Sequence, residues 1–175
     1  MSYSIYKASV PMFVALTTNM GTWLDKAEAH AKAKKFDIEV LMQARLAPDM
    51  LPLHAQIHIA TSWAKNAICR LAGQTPPDFS GDEKTFAEMK ARIARTLDIV
   101  QSVSEADLKD AVDRPITFNL GPEIKMTLPG SEYLTNLSMP NFYFHVTTMY
   151  DILRHNGVEL GKQDFLAGAF QIPGR

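Results

Sequence analysis

Four stretches of this chain repeat apolar residues at intervals of three and four, which is the spacing of one face of an α-helix. The pattern predicts four long helices, over about 5–32, 49–72, 83–102 and 130–156. Asp49 is the expected N-cap of the second helix, and Gly73 and Gly157 are expected just beyond the ends of the second and fourth. Pro11 lies within the first stretch, so the regular helix is expected to begin or to kink there.

The segment between the third and fourth predicted helices breaks the helical pattern. The stretch "ITFNLGPEIKMTL" (116–128) is typical of two short strands around Gly121–Pro122. Since an isolated hairpin is marginally stable, we expect it to pack on the helices. The tail, 158–175, is expected to be irregular. Together these features predict an all-α four-helix bundle with a small β-hairpin between the third and fourth helices, in a single domain over 1–175.

The connection between the second and third helices, 73–83, is rich in turn residues. Fully extended, it would be about as long as the second helix. It can therefore run back along the bundle and leave the two helices parallel, or it can form a generous hairpin loop. The sequence leaves both arrangements open.

Composition argues against several classes of protein. The formal net charge is −1, from 18 basic and 19 acidic residues, whereas nucleic-acid-binding proteins usually carry a basic excess. A single cysteine, Cys69, rules out an internal disulfide and fits a reducing compartment. The segment "MSYSIYKASV" lacks the features of a signal peptide, and no stretch approaches the roughly 18 apolar residues of a membrane span. We therefore expect a cytoplasmic protein that binds neither nucleic acid nor membrane.

The stretch "SMPNFYFHVTTMYDILRH" (138–155) is apolar or aromatic on most sides, which predicts the most buried helix. On a helical wheel, Asn141, His145 and Thr148 lie opposite the expected solvent side. Buried polar groups need hydrogen-bond partners. One interpretation is a core network in which His145 bonds Asn141 or a facing Gln or Tyr. The other is a functional pocket centred on His145, with Asn141, Thr148 and Gln56 as ligand-binding residues.

A second candidate site is "LPLHAQIH" (51–58), which places His54 and His58 four residues apart. On a helix this spacing brings both imidazoles to one side, as in a metal-binding pair. The helical wheel places His54 at the boundary of the apolar face and turns His58 toward solvent, with Gln56 at the opposite boundary. A metal site in a groove and a pair of surface histidines are both open interpretations.

Three segments, "LMQARLAPDMLPLHAQIHIA", "RLAG" and "PNFYFHVTTMYDILRHNGVELGKQDFL", together resemble an uncharacterised bacterial family in the DinB/YfiT-like metalloenzyme superfamily. The resemblance runs over nearly the whole chain. It implies a four-helix bundle in up-down-down-up order, often a homodimer, and the long connection between the second and third helices agrees with that order.

The resemblance also implies a metal site. Typical members carry one histidine early in the second helix and two histidines four apart in the fourth, which hold a divalent metal such as zinc or nickel. Some are thiol-dependent transferases. The fourth-helix motif matches His145, but its other histidine falls on Asn141, and asparagine is a weaker ligand for transition metals than imidazole. The implied ligands are therefore His145, His58 and His54, with Asn141 in place of a usual ligand.

Three functional hypotheses follow. The first is a degenerate metal-dependent enzyme, similar to a thiol transferase or hydrolase, in which His145 is a metal ligand or the catalytic general base. The second is a non-enzymatic bundle that binds a small molecule without a metal. The third is a structural homodimer whose polar seam fixes the register of the helices.

Overall fold

The fold is seen in a computed structural model that describes residues 4–121 and 123–169. Its elements in chain order are α1 (Ile5–Lys34), α2 (Glu39–Met42), α3 (Leu53–Leu71), α4 (Phe86–Ser102), β1 (Pro115–Leu120), β2 (Ile124–Pro129), α5 (Gly130–Glu132), a π-helical turn (Tyr133–Ser138), α6 (Met139–His155) and α7 (Lys162–Leu166). The predicted, mostly helical body with a small hairpin is confirmed. Within the described residues, no helix is long and apolar enough to cross a bilayer.

Helix α1 starts where its apolar pattern predicted, whereas the start of α3 differs from that expected. Helix α1 begins at Ile5, where the Ser4 side chain accepts the Lys7 N–H, and it continues through Pro11 rather than beginning there. Helix α3 begins at Leu53 with Pro52 as its N-cap, so the prediction of Asp49 as the cap is wrong. Proline has a fixed φ and no N–H to leave unpaired, so it suits a first turn that lacks a side-chain cap.

The four long helices enclose the core. Helix α3 packs against α6 on one side and α4 on the other, and α1 packs against the same two helices. Phe13 of α1 meets Phe142 of α6 edge to face, with ring centroids 4.8 Å apart, and Trp23 is fully buried. Both interfaces of α3 therefore lie inside the protein, and any polar side chain on them needs a partner.

The hairpin forms where it was predicted. Strands β1 and β2 pair antiparallel, with Ile116 opposite Leu128 and Phe118 opposite Met126. The Phe118 ring lies 5.1 Å from that of Tyr133, which anchors the hairpin to the helices. Gly121 begins the turn with φ +74°, a conformation that favours glycine; Pro122 lies outside the described residues.

The tail is more ordered than predicted. Residues Lys162–Leu166 form α7, and the Asn19 side-chain amide on α1 donates to the carbonyls of Phe165 at 3.0 Å and Ala167 at 2.8 Å. Polar side-chain contacts of this kind leave no periodic signal in the sequence, which is why the expectation of an irregular tail is wrong over Lys162–Leu166. Residues 170–175 lie outside the described part.

A capping box starts α4. The Thr85 hydroxyl accepts the Glu88 N–H at 3.3 Å, and the Glu88 carboxylate accepts the N–H groups of Thr85 and Lys84, each at 2.9 Å. These hydrogen bonds, of which the one from the Thr85 backbone has the largest effect, lower the pKa of Glu88 to about 2. The box therefore stays intact well into the acid range.

We predict that Thr85→Ala lowers the free energy of unfolding by about 1 kcal/mol, because it leaves a helix N–H without its acceptor. Urea denaturation followed by circular dichroism measures this change. Thr75→Ala, in the exposed connection before α4, is the matched control and should change stability by less than about 0.5 kcal/mol. Equal effects of the two substitutions would contradict the assigned cap.

Candidate functional site

A hydrogen bond between α3 and α6 joins two of the predicted site residues. Gln56 Oε1 lies 2.7 Å from His145 Nδ1, across 89 residues of sequence. The Gln56 side chain is buried, and its Nε2 donates to the Leu51 carbonyl at 2.9 Å. This second bond fixes the orientation of the Gln56 amide and turns its oxygen toward the imidazole.

The fixed amide determines the tautomer of His145. Because an amide oxygen only accepts hydrogen bonds, Nδ1 must carry the proton, and Nε2 is left with its lone pair. Burial lowers the pKa of His145 below its usual 6.5, which favours the neutral ring at neutral pH. Among the described residues, none forms a hydrogen bond with Nε2. The site therefore offers a neutral hydrogen-bond acceptor or base.

Asn141 and Thr148, the other two polar residues predicted to lie opposite the solvent side of α6, form hydrogen bonds within their own helical segment. Asn141 Nδ2 donates to the Leu137 carbonyl at 2.7 Å, and Thr148 Oγ1 donates to the Phe144 carbonyl at 2.8 Å. Thr148 is buried, whereas Asn141 and His145 are half-buried. Phe144 is 57% exposed, and its ring meets the His145 ring edge to face at 5.2 Å. The imidazole thus lies beside an exposed aromatic ring.

The α3 histidines do not join His145. His58 was expected to turn toward solvent, but its side chain is only 15% exposed, because the connection before α4 folds over it. Its Nε2 lies 2.7 Å from the Glu83 carbonyl and 3.4 Å from the Glu83 carboxylate. Burial lowers the pKa of His54, with a smaller contribution from the neighbouring charge of His58.

The residues present do not fit the metal site that the resemblance implies. A carbonyl oxygen only accepts, so the proton of the 2.7 Å bond sits on His58 Nε2, which removes that lone pair from metal binding. Asn141 offers an amide where an imidazole would be expected. Over the described ranges, no group of three or more His, Cys, Asp or Glu side chains is arranged to hold a metal ion.

A buried charge cluster between α3 and α4 was not predicted from the sequence. Arg92 is 2% exposed and donates to Glu83 at 2.9 Å, and Arg95 donates to the same carboxylate at 2.7 Å. Burial raises the pKa of Glu83. The opposing effects are larger and leave that pKa below its usual value: they come from Arg92 first, then from the backbone N–H of Glu83, from His58 and from Arg95. The sequence does contain one indication of this cluster: Arg92 follows Met89 by three residues and therefore falls on the apolar stripe of α4.

Comparison with known proteins places the chain in a family. A family model described as a domain of unknown function, DUF1993, matches residues 5–166. The chain belongs to the DUF1993 family. A solved structure similar to this DUF1993 protein is that of a DinB family member protein from Shewanella denitrificans, with a TM-score of 0.86 and 40% sequence identity over 98% of this chain and 94% of that one. A search of curated proteins finds no match.

The lowered pKa values of His145 and His54 predict a pH dependence of stability. Between the folded-state pKa of each histidine and its usual 6.5, the unfolded chain binds more protons than the folded protein. The free energy of unfolding should therefore fall as the pH drops below 6.5. His145→Gln cannot titrate and should make this fall shallower, whereas Thr147→Ala, exposed on the same helix, should leave the slope unchanged.

Chemical denaturation over a pH series measures this slope. A His145→Gln profile parallel to that of the wild type would show that the pKa of His145 is not lowered in the folded protein.

Proposed function

We propose that this DUF1993 protein binds a small molecule at His145 without a metal ion, through a hydrogen bond donated by the ligand to Nε2. The observation that carries the proposal is the bond between Gln56 and His145, with Gln56 itself held by the Leu51 carbonyl. A group bonded in this way to one ring nitrogen of a histidine fixes the ring and makes the other nitrogen a better acceptor.

The surroundings of His145 support a small-molecule site. Such sites combine apolar walls with a few fixed polar groups. Here the exposed ring of Phe144 supplies apolar surface beside a half-buried acceptor. His145 Nε2 has no hydrogen-bond partner among the described residues, so a ligand N–H or O–H would replace water as its donor. The favoured ligand is therefore a neutral molecule that has an apolar part and one hydrogen-bond donor.

The degenerate metal-dependent enzyme has less support. It requires lone pairs from His58 or His54 to converge with that of His145, whereas His58 Nε2 donates to the Glu83 carbonyl. The same Nε2 of His145 could still accept a proton from a bound substrate, so an enzymatic role as a general base needs no change of geometry.

Four wider expectations remain part of the proposal: residues 1–175 form one domain, its helices run in up-down-down-up order, and the protein is a homodimer in the cytoplasm. Of these, the helix order and the homodimer are what the family resemblance implies. Sedimentation equilibrium of the wild type tests the dimer, which a single species of monomer mass would contradict.

The ligand site is tested with protein purified without an affinity tag. We predict that wild type contains far less than one zinc or nickel ion per chain by elemental analysis. In a thermal-shift screen of small neutral molecules, the compounds that raise the unfolding midpoint of wild type should lose their effect in His145→Ala. Gln56→Ala should weaken binding, because the imidazole is then free to change tautomer.

Thr147→Ala is the control and should keep the full response to each compound, since its side chain is exposed on α6. One metal ion per chain that is lost in His145→Ala would overturn the metal-free site. Compounds that stabilise wild type and His145→Ala equally would place the ligand elsewhere.

A further inference from the structure

A cavity lies between the C-terminal half of α3, the N-terminal half of α4 and the connection between them. It has a volume of about 350 Å³. The residues that line it with polar or charged side chains include Ser62, Lys65, Asn66, Arg70, Asp78 and Arg92. None of these contributes to the His145 site, so the cavity is a separate feature of the protein.

The charges around this cavity do not balance. Three cations and one carboxylate line it, namely Lys65, Arg70, Arg92 and Asp78. Glu83 and Arg95 lie next to them, Glu83 paired with Arg92 and Arg95 with Glu83, and leave the excess of cations unchanged. Of the carboxylates, Glu83 is already shared by two arginines, and Asp78 is exposed. Two positive charges are therefore in excess, although Lys65 and Arg92 are only 5% and 2% exposed. Buried charges are costly unless an opposite charge lies close by.

The buried cations have donors to spare. Arg92 donates to Thr61, Ser62 and Glu83, each at 2.9 Å, which uses three of its five N–H groups. Lys65 donates to the Pro77 carbonyl, which uses one of its three. For the remaining donors of these two side chains, the described residues supply no hydrogen-bond acceptor. Ser62 accepts from Arg92 and so keeps its own O–H as a donor.

The Phe79 ring holds the cations in place. Lys65 Nζ lies 4.4 Å from the ring centroid, and the guanidinium carbons of Arg92 and Arg95 lie at 5.0 Å and 4.6 Å. Cation–π contacts of this kind stabilise the charges without neutralising them. Burial is the main cause that lowers the pKa of Lys65, and the charge of Arg92 is the second. A bound anion would therefore stabilise the charged form of Lys65.

We propose that this cavity binds a phosphate group, with Lys65, Arg70 and Arg92 as its charged donors and Ser62 and Asn66 as its neutral ones. A phosphate dianion matches the excess of two charges, and arginine and lysine are the usual side chains that bind it. The volume exceeds what a phosphate ion needs and lies in the range of small-molecule sites, so the ligand is a small phosphorylated compound.

The test is calorimetric titration of the wild type with inorganic phosphate and with glycerol 3-phosphate at constant ionic strength. Saturable binding with one site per chain is expected for both, tighter for the ester if the rest of the cavity holds the organic part. Asn66→Asp places a carboxylate in the cavity with little change of shape, and we expect it to weaken both affinities by about ten-fold or more.

Asn136→Asp makes the same charge change on an exposed turn before α6 and should leave both affinities unchanged. Lys65→Met should weaken binding in the same way as Asn66→Asp, with Lys109→Met as its exposed control. Because Lys65 is buried, its variant is included only if its circular dichroism spectrum matches that of the wild type; Asn66 is half-buried and tests the site independently.

Absence of saturable binding by the wild type would overturn the proposal. So would equal affinities in the wild type and Asn66→Asp, because binding would then reflect general attraction to surface charge. Failure of this site leaves the His145 site untouched, since the two share no residue.

Discussion

Helix α3 packs mainly against two other long helices, α6 and α4, and the polar groups that it buries on both interfaces must be paired. On the α6 side the need is met by Gln56, whose amide links the Leu51 carbonyl to His145. On the α4 side it is met by Thr61 and Ser62, which accept from Arg92. Removing one member of such a pair leaves the other desolvated, at a cost of about 1–3 kcal/mol. These bonds therefore help to fix how α3 sits between its neighbours.

The two interfaces have opposite electrostatic character. At the α6 interface a neutral imidazole meets a neutral amide, and the result is a single acceptor beside an exposed Phe144. At the α4 interface, cations outnumber carboxylates around a polar cavity. Helix α3 thus contributes to two sites: the one facing α6 suits a neutral hydrogen-bond donor, and the one facing α4 suits an anion. Neither proposal needs the metal that the superfamily resemblance implies, and the hydrogen bond from His58 Nε2 to the Glu83 carbonyl explains why the three histidines do not converge.

Sequence periodicity could predict the helices because burial of one face repeats with the helical turn. It could also place His145 opposite the solvent side of its helix, and a facing Gln was among the partners considered for it. It could not single out Gln56, since the choice depends on how α3 and α6 pack across 89 residues. The burial of His58 could not be predicted for a related reason: a helical wheel takes no account of a loop that folds over the outer face of the helix. The role of Arg92 could not be predicted, because a charged residue on an apolar stripe can be explained only when its partners, here Glu83 and Thr61, are known.

The most direct test of the central claim is the tautomer of His145, read from long-range ¹H–¹⁵N NMR spectra of the histidine side chains at neutral pH. The expected result is a neutral ring with the proton on Nδ1 and an unprotonated Nε2, and a mixture of tautomers in Gln56→Leu, which cannot accept the Nδ1 proton. A wild-type ring with its proton on Nε2, or a doubly protonated ring, would contradict the claim that Gln56 holds His145 as a neutral acceptor.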